Sequence, residues 1–240
     1  MKVLDATLST PGANLACDEA LLDAAEAGES GEVLRFWESP ETFVVVGYAN
    51  RIAAEVNMAA CDASSVPVLR RCSGGGTVVQ GKGCLNYALI LRVKEGGPTE
   101  TISSANKFIM ERNRDAIASV LPSNANVSVR GHTDLAIGAV KFSGNSQRRR
   151  KHHLLFHGTF LLSFDLALVT KLLRMPSVEP DYREHRAHEE FITNLNVPSE
   201  TVKAAMCRIW EAKREAHSPT ERLKQLVFER YSKLEWNAKF

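Results

Sequence analysis

No stretch of this sequence approaches the roughly twenty apolar residues that a membrane-crossing helix needs. The opening MKVLDATLSTPGANLACDEALL has no long apolar core of the kind a secretion signal carries. Cysteine is sparse: the five residues Cys17, Cys61, Cys72, Cys84 and Cys207 form an odd, scattered set with no C-x-x-C, so neither a disulfide framework nor a zinc cluster is encoded. These absences lead us to expect a reducing, cytoplasmic setting and no membrane partner. An excess of one charge is missing too. The 30 Lys+Arg against 28 Asp+Glu leave +2, which gives no bulk field for nucleic acid. Internal repeats, low-complexity tracts and a clear domain boundary are all absent, so 1–240 reads as a single domain with ample length for one core. The standard nucleotide fingerprints are also lacking: there is no G-x-x-x-x-G-K-[ST], and no G-x-G-x-x-G opening a helix.

What is present is a glycine-rich stretch, LRRCSGGGTVVQGKGCLNYALIL, from Leu69 to Leu91. Arg70 and Arg71 lead into Ser73, Gly74, Gly75 and Gly76, between a predicted strand (Val66 to Arg70) and another from Leu85. Glycine loses the most backbone freedom on folding, so a triplet is useful where the chain takes positive φ or lies against a ligand. Successive backbone N–H groups can then form a concave nest for phosphate or carboxylate, with an arginine at its shoulder. A glycine-rich hairpin with exposed arginines is the plainer alternative.

Around this loop, periodicity and capping predict helices from Asn14 to Ala27, Ile52 to Ala60, Thr99 to Leu121 and Asp165 to Leu173. Two more start at Ser199 and, through the capping box Ser218-Pro219-Thr220-Glu221, near Ser218. Strands are predicted at Val3 to Leu8, Val33 to Trp37, Thr42 to Val46, Leu85 to Val93, Asn126 to Val129, Asp134 to Ile137, Val140 to Gln147 and Leu154 to Leu162. Pro11-Gly12 reads as a break. Helices and strands without regular βαβ alternation imply an α+β fold with mixed or antiparallel sheets flanked by helices. Pro176 to Phe191, polar and irregular, reads as a loop packed over a site.

A second constellation begins at Arg130. Lys141 follows a turn within an apolar segment, Ser143-Gly144-Asn145 lets a ligand approach the backbone, and His157-Gly158-Thr159 interrupts an apolar strand. Read singly, Lys141 can snorkel to solvent and His157 can be a hydrogen-bonded core histidine. The run Arg148 to Lys151 reads as a solvated hairpin tip or as bait for an acidic partner.

Taken together, Arg70-Arg71-x-Ser-Gly-Gly-Gly-x-Val78, Asp134-Leu135, Lys141-Phe142-Ser143-Gly144-Asn145-Ser146 and His157-Gly158-Thr159 resemble the lipoate–protein ligase family. That family shares its catalytic-domain fold with octanoyltransferases and biotin protein ligases. Asn14-Leu15-Ala16-x-Asp18-Glu19-Ala20-Leu21 and Trp236-Asn237 extend the resemblance to both ends. It implies a two-step ligase: lipoate or octanoate reacts with ATP to give an acyl-adenylate, and the acyl group passes to a lysine of a lipoyl carrier domain. Lys141 corresponds to the family's active-site lysine. Arg70, Arg71, Ser73, Gly74, Gly75, Gly76, Val78, Ser143, Gly144, Gly158 and Thr159 fall at substrate-binding positions, with His157 in support. Thr133, Asp134 and Lys141 fall on the nucleotide side. Mg2+ is expected with ATP, though no metal ligand is assigned. Trp37 matches a position lining the acyl tunnel, or is an ordinary core tryptophan.

The sequence also departs from the pattern. Gln80 and Gly81 stand where many ligases carry histidine and aspartate, and His132-Thr133 stands where they carry Arg-Asn, all touching the nucleotide side. The C-terminal accessory domain of many such ligases has no counterpart here, which leaves room for a separate accessory chain. The main rival is an ATP-independent octanoyl or lipoyl transferase, which needs a thiolate. The transferases place it upstream of the lysine motif, where none occurs, or beyond His157, where only Cys207 lies, in a helix whose apolar stripe occupies other positions; Cys72 and Cys84 flank the glycine loop. A non-catalytic acyl-binding protein of the same fold is the other alternative.

Overall fold

The chain opens with β1 (Lys2–Asp5), and its first helix starts earlier than expected for a local reason. In a computed structural model, which describes residues 1–240, Pro11 takes the first helical position of α1 (Pro11–Glu26). Thr10 caps the helix through its hydroxyl, which accepts from the Ala13 amide. Proline lacks only an amide hydrogen that this position leaves unpaired anyway, and its φ is already helical. Pro11-Gly12 therefore opens the helix instead of breaking the chain.

β2 (Val33–Trp37) and β3 (Phe43–Val46) are fully buried, as their apolar runs require. The expected helix at Ile52 to Ala60 divides into α2 (Ile52–Glu55) and α3 (Met58–Ala63), because Asn57 leaves the helical region and caps the second piece. β4 (Val68–Arg70), β5 (Val78–Gln80) and the long β6 (Cys84–Arg92) follow. α4 (Ile102–Ala118) begins at a reciprocal Thr101–Ser104 capping box. β7 (Val127–Arg130), β8 (Asp134–Ile137), β9 (Val140–Arg149) and β10 (His153–Leu161) form a meander. The remaining elements are α5 (Ala167–Leu172), α6 (His188–Phe191), α7 (Ser199–Ile209), β11 (Arg214–Glu215), α8 (Thr220–Leu226) and α9 (Leu234–Asn237). The Ser218 capping box does not form, and a single wide turn at Val227–Tyr231 interrupts the expected last helix.

Eight strands make one mixed sheet in the order β11-β1-β2-β6-β10-β9-β8-β7, and β4-β3-β5 make a second. Alternation along β6 decides what each face of the large sheet meets. Leu85, Tyr87, Leu89 and Leu91 join Ile109, Met110, Val202, Met206 and Trp210 under α4 and α7. Ala88 and Ile90 join Cys17, Leu21, Leu22 and Ala25 of α1 on the other face. The small sheet approaches that α1 face, with Phe43 stacked against Trp37 at 6.4 Å between ring centres. No helix is long and apolar enough to cross a membrane.

Candidate active site

Strand register builds the floor of the site. Trp37 pairs with Asn86, Asn86 with Thr159, Thr159 with Gly144, and Gly144 with Asp134. This single row crosses five strands, about 19 Å at the usual strand spacing. A second row two residues away, on the same face, carries Arg35, Ala88, His157 and Ser146. α1, the small sheet and the 174–192 segment close over these rows around a cavity of about 870 Å³. Most of the residues expected to bind substrate or nucleotide line it, from Trp37 at one end to Thr133, Asp134 and Lys141 at the other. The exceptions are Arg70, Ser73 and Gly74, which do not line the cavity.

Lys141 sits just past the bulge between β8 and β9, and its ammonium lies 2.8 Å from Asp134 Oδ1. Gly144 makes room for it, since a Cβ there would come within 2.9 Å of both Lys141 Cε and Nζ. The other oxygen, Asp134 Oδ2, accepts from the Tyr182 hydroxyl at 2.8 Å. Burial, with the adjacent Asp134 charge, pushes the Tyr182 phenol up, so it stays a donor. Tyr182 belongs to the polar segment after Pro176, which lies over the site as expected and is tethered by Thr193 N–H to the Lys141 carbonyl at 2.8 Å.

The glycine loop is built around Arg71. Its guanidinium donates to the carbonyls of Gly74 (2.6 Å) and Gly76 (2.7 Å) and to Ser73 Oγ (3.1 Å). Burial pushes Arg71 down to about 10, still charged at neutral pH. Gly75 takes φ +84 and packs on Gly47, where no side chain fits. With the loop carbonyls turned to Arg71, the N–H groups of Gly74, Gly75, Gly76 and Thr77 donate to no backbone acceptor. That is the geometry of an anion nest. Arg71 therefore shapes the nest rather than touching its guest with a free fork. Arg70 departs further from expectation. Its Nη1 donates to the carbonyls of Gly47, Tyr48 and Asn50 and its Nε to Trp236 O, so it anchors neighbouring backbone and is not a substrate ligand. The same holds for Ser73, fully buried beneath the loop.

Ser73 belongs to a relay that the sequence did not announce. Its Oγ lies 2.5 Å from His157 Nε2, and His157 Nδ1 lies 3.1 Å from Asp18 Oδ2. Asp18 also pairs with Arg35 at 2.5 Å. Burial opposes charge on Asp18, yet Arg35 and His157 outweigh it and hold the carboxyl below its ordinary value. With Nδ1–H given to Asp18, His157 Nε2 accepts the Ser73 proton. Ser73 Oγ in turn accepts from Arg71 and from Ser146 Oγ at 2.7 Å. The serine is saturated and works as a hub. Behind the floor, Trp210 Nε1 donates to Asn113, Asn113 to Tyr87, and Tyr87 to Asn145, whose amide donates to Thr133 O at 2.7 Å. Gly158 leaves space for the Asn145 amide.

No cysteine lines the cavity. Cys72 and Cys84 are both buried. Burial pushes Cys84 up to about 12, and burial with the Glu19 and Asp18 charges raises Cys72 as well. No cluster of three or more metal-ligating side chains is assembled. Asp134 is nonetheless a carboxylate suited to a magnesium ion that arrives on phosphates, which needs only one or two protein oxygens.

A family model described as the lipoyl protein ligase A/B catalytic domain matches residues 10–208. Lipoate–protein ligase 1 of Staphylococcus aureus is 31% identical over 170 residues, 70% of this chain and 48% of that protein. Octanoyltransferase LipM of Symbiobacterium thermophilum is 28% identical over 187 residues, 71% of this chain and 68% of its own length. The crystal structure of lipoate-protein ligase A bound with ATP shares the fold at a TM-score of 0.84 and 21% identity, covering 99% of both chains. A bi-partite lipoate protein ligase from Thermoplasma acidophilum, studied with its E2 lipoyl domain, gives 0.82 and 20%, over 99% of this chain and 96% of the other. The chain spans about half the length of several curated relatives it matches.

Proposed function

Because this chain belongs to the lipoyl protein ligase A/B catalytic-domain family, we propose that it activates lipoate or octanoate with ATP and transfers the acyl group to a lysine of a lipoyl carrier domain. In the first step an acyl carboxylate oxygen bonds to the α-phosphorus and pyrophosphate leaves. In the second, the carrier lysine amine attacks the acyl carbon, AMP leaves with the bonding pair, and the amine loses a proton. The observation that carries this reading is one cavity lined by both an ammonium (Lys141) and a row of uncommitted backbone donors (Gly75 to Thr77). The Lys141 charge and those N–H groups would stabilise negative charge as it develops on the phosphate and acyl oxygens. The slot toward Trp37, lined also by Leu15, Val45 and Val78, would take the aliphatic chain. Asp134 would hold Mg2+ on the nucleotide phosphates, where the ion neutralises the departing pyrophosphate. Thr133, fixed by its hydrogen bond to Asn145 O at 2.6 Å, would face the nucleotide.

Thiol geometry favours ligation over thioester transfer, since a transferase needs an accessible thiolate and every thiol lies outside the cavity with its ionisation suppressed or unassisted. The bi-partite Thermoplasma ligase makes a second accessory chain a candidate partner for the first step. The test is intact-mass analysis of an apo carrier domain incubated with this protein and one of three donors. Modification from lipoate and Mg-ATP, with pyrophosphate released, is expected. Modification from preformed lipoyl-adenylate alone would assign the first step to a two-chain enzyme. Modification only from an acyl-carrier thioester would overturn ligation in favour of transfer, and no modification from any donor would leave an acyl-binding protein.

A further inference from the structure

The run Arg148 to Lys151 is a motif the site leaves unused, and its cations do not share one fate. Arg149 donates to the backbone oxygens of Thr99 and Glu100 at 2.9 and 2.8 Å. Arg150 pairs with Asp23 at 2.8 Å. Arg148 instead lies over the ring of Tyr48, 5.6 Å from its centre. Lys239 approaches the same ring to 4.8 Å and donates to the Tyr48 phenol oxygen at 3.0 Å. The Lys239 hydrogen bond and charge, with Arg148 and Arg230 adding to them, hold that phenol below its ordinary value. Arg230 is already paired with Glu19, at 2.6 Å, whereas Arg148 and Lys239 form no ion pair, although Lys239 also lies 5.1 Å from the centre of the Phe240 ring.

This cluster stands directly behind the glycine loop. The Tyr48 amide donates to Ser73 O at 2.8 Å. Arg148 is two residues beyond Ser146, whose hydroxyl holds Ser73, and so lies on the same face of β9. Tyr48, Arg148 and Lys239 do not line the cavity. They form a rim outside the nest, where a small acid or nucleotide held within would leave them uncovered. A macromolecule delivering an amine to the nest would present surface around the glycine loop, to whose backbone Tyr48 is bonded. Like charges gathered on an aromatic platform repel one another and gain from a partner carrying carboxylates, and Tyr with Arg is a composition that interfaces favour.

We propose that the Tyr48–Arg148–Lys239 rim is the docking surface for the acyl-accepting protein, engaging acidic side chains beside its acceptor lysine. This rests on the ligase reading above, and the test separates the two. Association of apo carrier domain with the full chain is measured by calorimetry and by stopped flow at low and physiological salt, alongside pyrophosphate release from lipoate and ATP. The double variant Arg148→Glu, Lys239→Glu is expected to slow association tenfold or more and to abolish its salt sensitivity. Pyrophosphate release and melting temperature should stay unchanged. Arg148→Ala should give a smaller loss, and exchanging a carboxylate of the carrier for lysine should restore association with Arg148→Glu. Salt-sensitive binding without acyl transfer would support the rim while refuting the ligase. Unchanged association in the double variant would overturn the proposal. So would a parallel fall in pyrophosphate release, which would assign these cations to nucleotide phosphates instead.

Discussion

At position 144 any side chain meets the ammonium on which the proposed chemistry depends. Gly144→Ala would push Lys141 off Asp134, because the new methyl would lie within 2.9 Å of Nζ. We expect a ten- to hundredfold loss of acyl transfer with an unchanged melting temperature, since the displaced atoms end a flexible side chain. Lys141→Ala should cost on the order of a hundredfold or more in adenylate formation, by analogy with losing a preorganised donor, again with the fold intact. Retained turnover in that variant would remove Lys141 from the mechanism. Asp18→Asn tests stability rather than rate. It strips the charge facing Arg35 and His157 in a fully buried setting, and urea melts should show a loss of about 3–5 kcal/mol. The glycine triplet stood out by composition, whereas Lys141 stood out only through the resemblance carried by Lys141-Phe142-Ser143-Gly144-Asn145. Asp18 was visible only as part of the opening motif, since its partners come from β2 and β10, distant in sequence. Arg70 and Arg71 read alike side by side, and only strand direction turns one into the loop and the other into the Trp236 backbone.

Among the elements, the segment over the site carries the clearest test. Tyr182 ties it to Asp134, while Arg183 and Arg186 lie over the Phe191 ring at 4.8 and 5.3 Å. Tyr182→Phe keeps the packing and deletes the tie. Trypsin should then cleave between 174 and 187 several-fold faster, with the global melting temperature unmoved; equal cleavage rates would mean the aromatic contacts alone hold it down. The strands of the meander were legible to within two residues, because alternation and turn residues agree there. It misread the chain wherever one residue had two roles. Pro11 starts a helix as readily as it ends a strand, and Asn57 interrupts one helix by capping the next. Val33 to Trp37 and the strand predicted at Thr42 to Val46 are neighbours in sequence but belong to different sheets, since the first pairs with β1 and β6 and the second with β4 and β5.

For the whole molecule, buried thiols set an alkaline limit. Burial raises Cys17 to about 11 and Cys84 to about 12, and Cys72 rises too. In the unfolded chain these thiols ionise from about pH 9. Protons therefore leave on unfolding, and this stability is complete below about pH 9 and lost as pH climbs toward the folded values. Each thiol contributes a slope of about 1.4 kcal/mol per pH unit. Urea midpoints measured in reductant should be flat from pH 7 to 8.5 and fall steeply by pH 11. A flat profile to pH 11 would mean the thiols are solvated in the folded state. The overall α+β class followed from element order, whereas the burial that silences these cysteines is a property of two clusters, one holding Cys17 and Cys72 with α1 residues and one holding Cys84 with residues of the small sheet, which no local window contains.

The clamp on Arg70 has a consequence for biosynthesis. Its amide is received by Asn237 Oδ1 at 3.0 Å and its Nε by the Trp236 carbonyl, across 167 and 166 residues. A ribosome must therefore translate nearly to codon 237 before the strand leading into the glycine turn acquires its anchor. Nascent chains short of that point carry the motif without its brace.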